Sequence, residues 1–156
     1  MKKIIQYIVI LTILYSYNTT KAQIITGGNI SLNYANGFYL DLSPMIGYKW
    51  EKINVGFSPF YAYRQNTSSS DYSFGGRVFS QFYFVENIFL HAEVDASNVS
   101  YYNSRKWVYG IPLGAGYQSN ISENVGMQIS ILYDVLLDKN SLKENPEIRG
   151  GIIYGF

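Results

Sequence analysis

The side chains best placed to do chemistry in this sequence are His91, Glu93 and Asp95. They alternate within residues 88–97 and share one face if that stretch is a strand. His91 is the only histidine. A histidine base needs a nucleophile and an orienting acid within hydrogen-bond reach. Glu93 supplies the acid as a same-face neighbour, but no serine on the stretch is suitably placed, so no catalytic residue is expected. Three alternate residues on one strand also make a poor metal chelate, and the absence of cysteine removes any thiolate site. A network of mutually satisfied charges is the expected state. Asp41, Arg64 and Arg77 have the matching parity on neighbouring stretches, so the expected interior network is Arg77, Glu93, Asp95, His91, Asp41 and Arg64, with no cofactor and no metal.

The elements that must position these residues are strands. Eight segments alternate between an apolar and a polar face: residues 28–34, 38–50, 53–64, 72–84, 88–97, 107–117, 125–135 and 148–156. The second is the clearest, with Phe38, Leu40, Leu42, Ile46, Tyr48 and Trp50 opposite Tyr39, Asp41, Ser43, Gly47 and Lys49. The sixth sets Trp107, Tyr109, Ile111, Leu113 and Tyr117 against a nearly bare face of Gly110, Pro112, Gly114 and Gly116. Aromatics are 17% of the chain, yet no run after Tyr17 is long enough to be an apolar helix. Alternation is how this apolar material is distributed.

Connections alternate as well. Glu51, Glu86 and Glu123, 35 and 37 residues apart, mark short turns. Polar stretches at 65–71, 98–106 and 138–146 lie between those turns. Asn36-Gly37 has the composition of a two-residue hairpin turn. An even number of strands with short turns at one end and longer loops at the other describes a closed barrel. The soluble alternative, a lipocalin-like barrel, would put the apolar faces inward. Aromatics at both ends of those faces, such as Phe38 with Trp50 and Trp107 with Tyr117, read instead as interfacial girdles. The expected fold is therefore an all-β, eight-stranded antiparallel up-and-down transmembrane β-barrel.

Residues 1–22 have a basic start at Lys2-Lys3, an apolar run too short to span as a helix, and small residues before Gln23, the pattern of a cleaved signal peptide. The expected domains are a signal peptide, 1–22, and a barrel, 23–156. Cleavage removes three of the 12 Lys and Arg, leaving 9 against 11 acidic residues, a formal charge of −2. No basic surface remains for nucleic acid. At the other end Arg149, Gly151, Tyr154 and Phe156 resemble the C-terminal assembly signal of Gram-negative outer-membrane barrels. With the hairpin Leu42-Ser43-Pro44-Met45-Ile46-Gly47-Tyr48 and its echo Pro112-Leu113-Gly114-Ala115-Gly116-Tyr117, the chain resembles the small outer-membrane barrels related to the OmpA transmembrane domain and OmpX.

That resemblance implies export to the outer membrane, contact with its lipid and lipopolysaccharide, and insertion by the barrel assembly machinery. It carries no catalytic signature. Some small barrels are lipid A deacylases, whose His and Ser stand two apart on a strand and face the lipid; here Glu93 stands at that spacing and His91 points inward. The expectation is a non-enzymatic, porin-like outer-membrane barrel with a structural or surface-interaction role and a side-chain-filled, non-conducting lumen. The alternative is a lipid A-modifying or small-solute-handling barrel. A tight turn after Phe84 sets Arg77 opposite Asp95, Phe79 opposite Glu93 and Gln81 opposite His91. Arg77 is then expected to bridge Asp95 directly and Glu93 diagonally. The glycines at 110, 114, 116 and 126 leave room across the lumen for Phe60, Phe79, Tyr83 and Phe89.

Overall fold

A computed structural model of the protein describes residues 22–34, 37–67, 69–101 and 104–155. Among the described residues nine strands follow one another: β1 (Gln23–Asn33), β2 (Phe38–Trp50), β3 (Ile53–Gln65), β4 (Ser70–Val85), β5 (Ile88–Tyr101), β6 (Ser104–Gly110), β7 (Pro112–Asn120), β8 (Val125–Asp134) and β9 (Glu147–Gly155). Every pairing is antiparallel, and the ring closes through β1–β9 and β4–β5. β6 and β7 both pair with β5 in one continuous register, Asp95↔Gly110 running on to Ala92↔Leu113. They are two halves of one stave, so nine strands build an eight-stranded barrel. The sixth segment is broken at Ile111 because Pro112 has no N–H to give the ladder and the Ile111 N–H donates to Asp134 Oδ1 at 2.8 Å.

Alternation decides which way the barrel faces. Ile46, Val94 and Ile131 are 58–59% exposed on the outside, while Asp41, Arg77 and Glu93 are at most 3% exposed inside. This excludes the lipocalin-like arrangement. The apolar belt is also aromatic at its margins, where Tyr48 stacks on Trp50 and Tyr61 on Tyr72.

Several boundaries differ from the sequence reading. The expected loop 98–106 is largely a hairpin, with β5 running to Tyr101 and β6 starting at Ser104, and β4 begins at Ser70 inside the expected loop 65–71. β1 begins at Gln23 rather than Gly28, because the adjacent pair Ile24-Ile25 hides the alternation: Ile24 faces out, and Ile25 packs inward with Met45, Phe79 and Ile153. The register Asn33↔Tyr39 places five residues between those paired positions, whereas a two-residue Asn36-Gly37 turn needs an even number. Asn36 lies outside the described residues. Gly37 has φ +110°, so it still supplies the backbone freedom that the connection needs. Glu51-Lys52 and Glu86-Asn87 form the short turns Trp50↔Ile53 and Val85↔Ile88.

The glycines and aromatics of the lumen fit together in a different way from that expected. Phe60, Phe79 and Phe89 do not reach across to distant glycines. Each lies over the glycine beside it on the neighbouring strand: Phe60 on Gly75, Phe79 on Gly56, Phe89 on Gly116. A Cβ at Gly56 would sit 2.7 Å from the Phe79 ring, which leaves no room for a side chain. Of the four expected glycines only Gly116 serves this role. Gly110 instead faces the carboxylates of Asp95 and Asp134, and Gly126 faces Gln118 and Ile153.

Candidate functional site

The polar face of each strand turns inward, so the lumen collects the charged side chains. Arg77 on β4 and Arg149 on β9 organise them. The Arg77 guanidinium donates to both oxygens of Asp41 on β2, with Nη1 to Oδ1 at 3.0 Å, and Nε lies 3.4 Å from Glu93 Oε1. Its flat face sits 4.0 Å above the Phe60 ring. Arg149 spans two carboxylates: Nη1 to Glu93 Oε2 at 2.7 Å and Nε to Glu147 Oε1 at 2.8 Å. Fork-to-fork geometry of this kind gives short, charge-assisted bonds. All six of these residues are at most 6% exposed.

The register sets Arg77 opposite Asp95, Phe79 opposite Glu93 and Gln81 opposite His91. The direct Arg77–Asp95 bridge, however, is absent: Asp95 is paired with Lys143, and Arg77 reaches past its strand neighbour to Asp41 two staves away. In a lumen only as wide as its side chains, a long guanidinium meets non-adjacent strands as readily as adjacent ones. Arg64 stands apart from this cluster, 3.0 Å from Glu144 and 5.5 Å above the Tyr39 ring.

Lys143 and Glu144 belong to the connection between β8 and β9, which folds back into the barrel mouth. Leu142 joins Tyr39, Phe60 and Ala62 in an apolar cluster, and Lys143 is 7% exposed. The Asn33 amide donates to Glu144 at 3.0 Å. Asp138 starts the fold-back as its carboxylate accepts the Asn140 N–H at 2.8 Å, a bond that holds the acid below its usual range. The Asn145 side chain then ties the loop to both backbone groups of Asp134.

Toward the tight turns the lumen changes from charges to amides. Asn54 donates to Gln81, Gln81 to Gln128 and Gln128 to Asn29, at 3.1, 3.2 and 2.8 Å, so the chain of bonds links β3, β4, β8 and β1. The Tyr83 hydroxyl donates to Gln118 at 2.6 Å and its ring packs on Phe89. None of these amides except Gln81 was singled out by sequence, because an uncharged polar residue on an inward face carries no partner information of its own.

His91 lies between the two layers. Its Nε2 is 3.2 Å from Glu93 Oε2 and its ring stacks on Phe79. Beside it is a cavity of about 10 Å³, also lined by Ser58, the size of a single water. The Ser58 hydroxyl donates to the Pro44 carbonyl at 2.7 Å, and Glu93 is held by two arginines. This arrangement fixes charges in place and offers His91 no activated hydroxyl. Among the described residues no group of three or more His, Asp or Glu side chains is disposed to hold a metal.

Of the assembly-signal positions, Arg149 points into the lumen, Gly151 packs against Asn29, and Tyr154 stands opposite Thr26 and Val125. Phe156 lies outside the described residues.

This closed barrel, apolar outside and ion-paired inside, has the fold of the small OmpA/OmpX-like outer-membrane barrels. The N-terminal β-barrel domain of Pseudomonas aeruginosa OprF superimposes with a TM-score of 0.56 at 17% identity, over 86% of this chain and 96% of that one. The Yersinia pestis outer-membrane protein Ail in a phospholipid bilayer nanodisc gives a TM-score of 0.52 at 18% identity, over 88% of this chain and 100% of that one. No protein-family model and no curated protein sequence matches the chain.

Proposed function

We propose that this protein is a non-enzymatic outer-membrane barrel of a Gram-negative bacterium, with a structural or surface-interaction role and a non-conducting lumen. Residues 1–22 are its cleaved signal peptide, its long loops face outside, and its belt contacts lipid and lipopolysaccharide. The observation that carries this reading is the pairing of lumen charges across non-adjacent staves, Arg77 with Asp41 and Arg149 with Glu93, together with Lys143 brought in from the loop. Eight strands leave an interior just wide enough for side chains, and ion pairs that join non-adjacent staves occupy part of that width. His91 keeps its contact with Glu93, but the Ser58 hydroxyl beside it is given to the Pro44 carbonyl, which leaves no activated nucleophile of the kind lipid hydrolysis requires.

The test is conductance of the purified, refolded protein in a planar bilayer. The expected result is no stable channel; reproducible open steps would overturn the non-conducting lumen. Lipid A mass spectra from cells with and without the protein are expected to be identical, and a changed acyl pattern would overturn the non-enzymatic reading.

A further inference from the structure

The amide chain inside the barrel runs in one direction, and that direction leaves one atom over. Gln128 donates to Asn29 and Gln81 donates to Gln128, so Gln81 turns its oxygen toward Asn54, which must answer with Nδ2. The same Nδ2 donates to the Tyr83 hydroxyl at 3.2 Å, whose proton goes to Gln118. Turning the Asn54 amide over would set oxygen against oxygen at Gln81. Asn54 Oδ1 is therefore fixed as an acceptor, and in a residue 1% exposed it has no donor among the described residues. A buried acceptor left unpaired is destabilising, and an incoming donor relieves it.

Asn54 lines a cavity of about 70 Å³ at the tight-turn mouth of the barrel, where the buried side chains of Ile25 and Ile153 form an apolar wall. Gln23 pairs with Lys49 and Lys49 with Asn54 in the β1–β2–β3 register, so the three stand side by side on the inner face. Lys49 is half-buried and has no ion pair among the described residues, and the Gln23 side chain has no hydrogen bond among them. The other charged residue on the cavity is Glu123, exposed at its rim. Two glycines keep the space clear: a Cβ at Gly155 would stand 3.0 Å from Gln23 Nε2, and one at Gly126 would stand 3.0 Å from Gln118 Nε2. The cavity shares Lys49 and Gln118 with a wider recess of about 690 Å³ toward the turns.

We propose that this cavity binds the charged head of a free α-amino acid, with the carboxylate against Lys49 and the Gln23 amide and the ammonium donating to Asn54 Oδ1 on the side of Glu123. The unpaired groups select this occupant. A simple anion brings Asn54 no donor and meets Glu123, a simple cation meets Lys49, and water leaves Lys49 without a counter-charge. A peptide terminus carries one of the two charges, and an amino acid carries both on neighbouring atoms. At about 30 Å³ per water, the cavity has the room of about two waters, so it holds the head and sends the side chain out to the wider recess. With the long loops outside, this mouth faces the periplasm; binding itself depends neither on that orientation nor on the absence of enzymatic activity.

The test is saturation-transfer NMR on the full mature protein in nanodiscs, with empty nanodiscs as the blank. Three probes separate the two charges: alanine, propionate, which lacks the ammonium, and alaninamide, which lacks the carboxylate. Alanine is expected to give a saturable signal, and propionate and alaninamide should bind at least about tenfold more weakly. Lys49→Gln should weaken alanine by a similar factor and leave alaninamide unchanged. Gly126→Ala, which narrows the cavity without altering a charge, should weaken alanine as well. The heat-modifiable gel shift shows that each variant is folded. An alanine signal no greater than that of empty nanodiscs, propionate binding as tightly as alanine, or an alanine affinity untouched by Lys49→Gln would overturn the proposal. None of these outcomes bears on conductance or on lipid A, which test the earlier reading separately.

Discussion

Replacing Arg77 by alanine removes the side chain that joins three staves. Two hydrogen bonds to Asp41 are lost, with the 3.4 Å approach to Glu93 and the packing on Phe60. A hydrogen bond to a charged group contributes about 1.5–3 kcal/mol, and Asp41, 0% exposed, is left as an uncompensated buried carboxylate. Breaking such a pair from one side costs about 3–5 kcal/mol. A water-filled lumen would screen the same pair to about 1 kcal/mol or less; Arg77, 1% exposed, is not in that regime. Urea unfolding in lipid vesicles, followed by the gel shift between folded and unfolded forms, measures the difference. With a slope of about 1–3 kcal/mol per molar urea, the midpoint should fall by at least about 1 M. Lys52→Ala, in an exposed turn, should stay within about 0.5 kcal/mol of wild type. The double variant Arg77→Ala/Asp41→Ala should lose less than the sum of the two single losses, since neither charge is then left alone. An Arg77→Ala midpoint indistinguishable from wild type would refute the buried-pair reasoning.

Lys143→Ala should release the β8–β9 connection, seen as faster proteolysis of residues 135–146 in protein that keeps its folded gel shift; unchanged cleavage would mean that the Asp95 pair does not hold the loop. Glu51 has φ +35°, a left-handed conformation that disfavours side chains, so Glu51→Gly should raise stability by about 0.5–1 kcal/mol in the same urea assay. Cysteine at Ser69 should label in intact cells with an impermeant maleimide and cysteine at Lys52 should not; the reverse pattern would invert the topology. Deleting Phe156 should leave exported but unfolded protein, and a wild-type yield of folded barrel would remove this position from the assembly signal.

Strand parity was legible because a barrel wall sorts side chains by a strict period of two. The inward set Asp41, Arg77, His91, Glu93 and Asp95 follows from alternation alone, and the Arg77↔Asp95 alignment from one short turn. Partner choice was not legible. Register describes neighbours along the wall, whereas Arg77 and Asp41 meet across the lumen, 36 positions apart in sequence. The contribution of the loop was hidden for another reason. Leu142, Lys143 and Glu144 sit in a polar run that reads as a solvated connection, and only the three-dimensional closeness of Asp95 and Phe60 turns them inward. Arg149 was read from its place near the chain end as part of an assembly signal, and its inward parity brings it to Glu93 and Glu147.

The pairing of Arg149 with Glu93 joins the last stave to the fifth, and the ring itself closes where the first stave meets the last. Neither can form while the chain is a growing, open sheet. Interactions that appear only at closure are absent from a transition state that precedes it, so they slow escape from the native state without hastening arrival. The Arg149–Glu93 pair should therefore act as a kinetic latch: variants at these two positions should differ from the parent chiefly in unfolding rate, so that the lifetime of the inserted barrel is the quantity this pair extends.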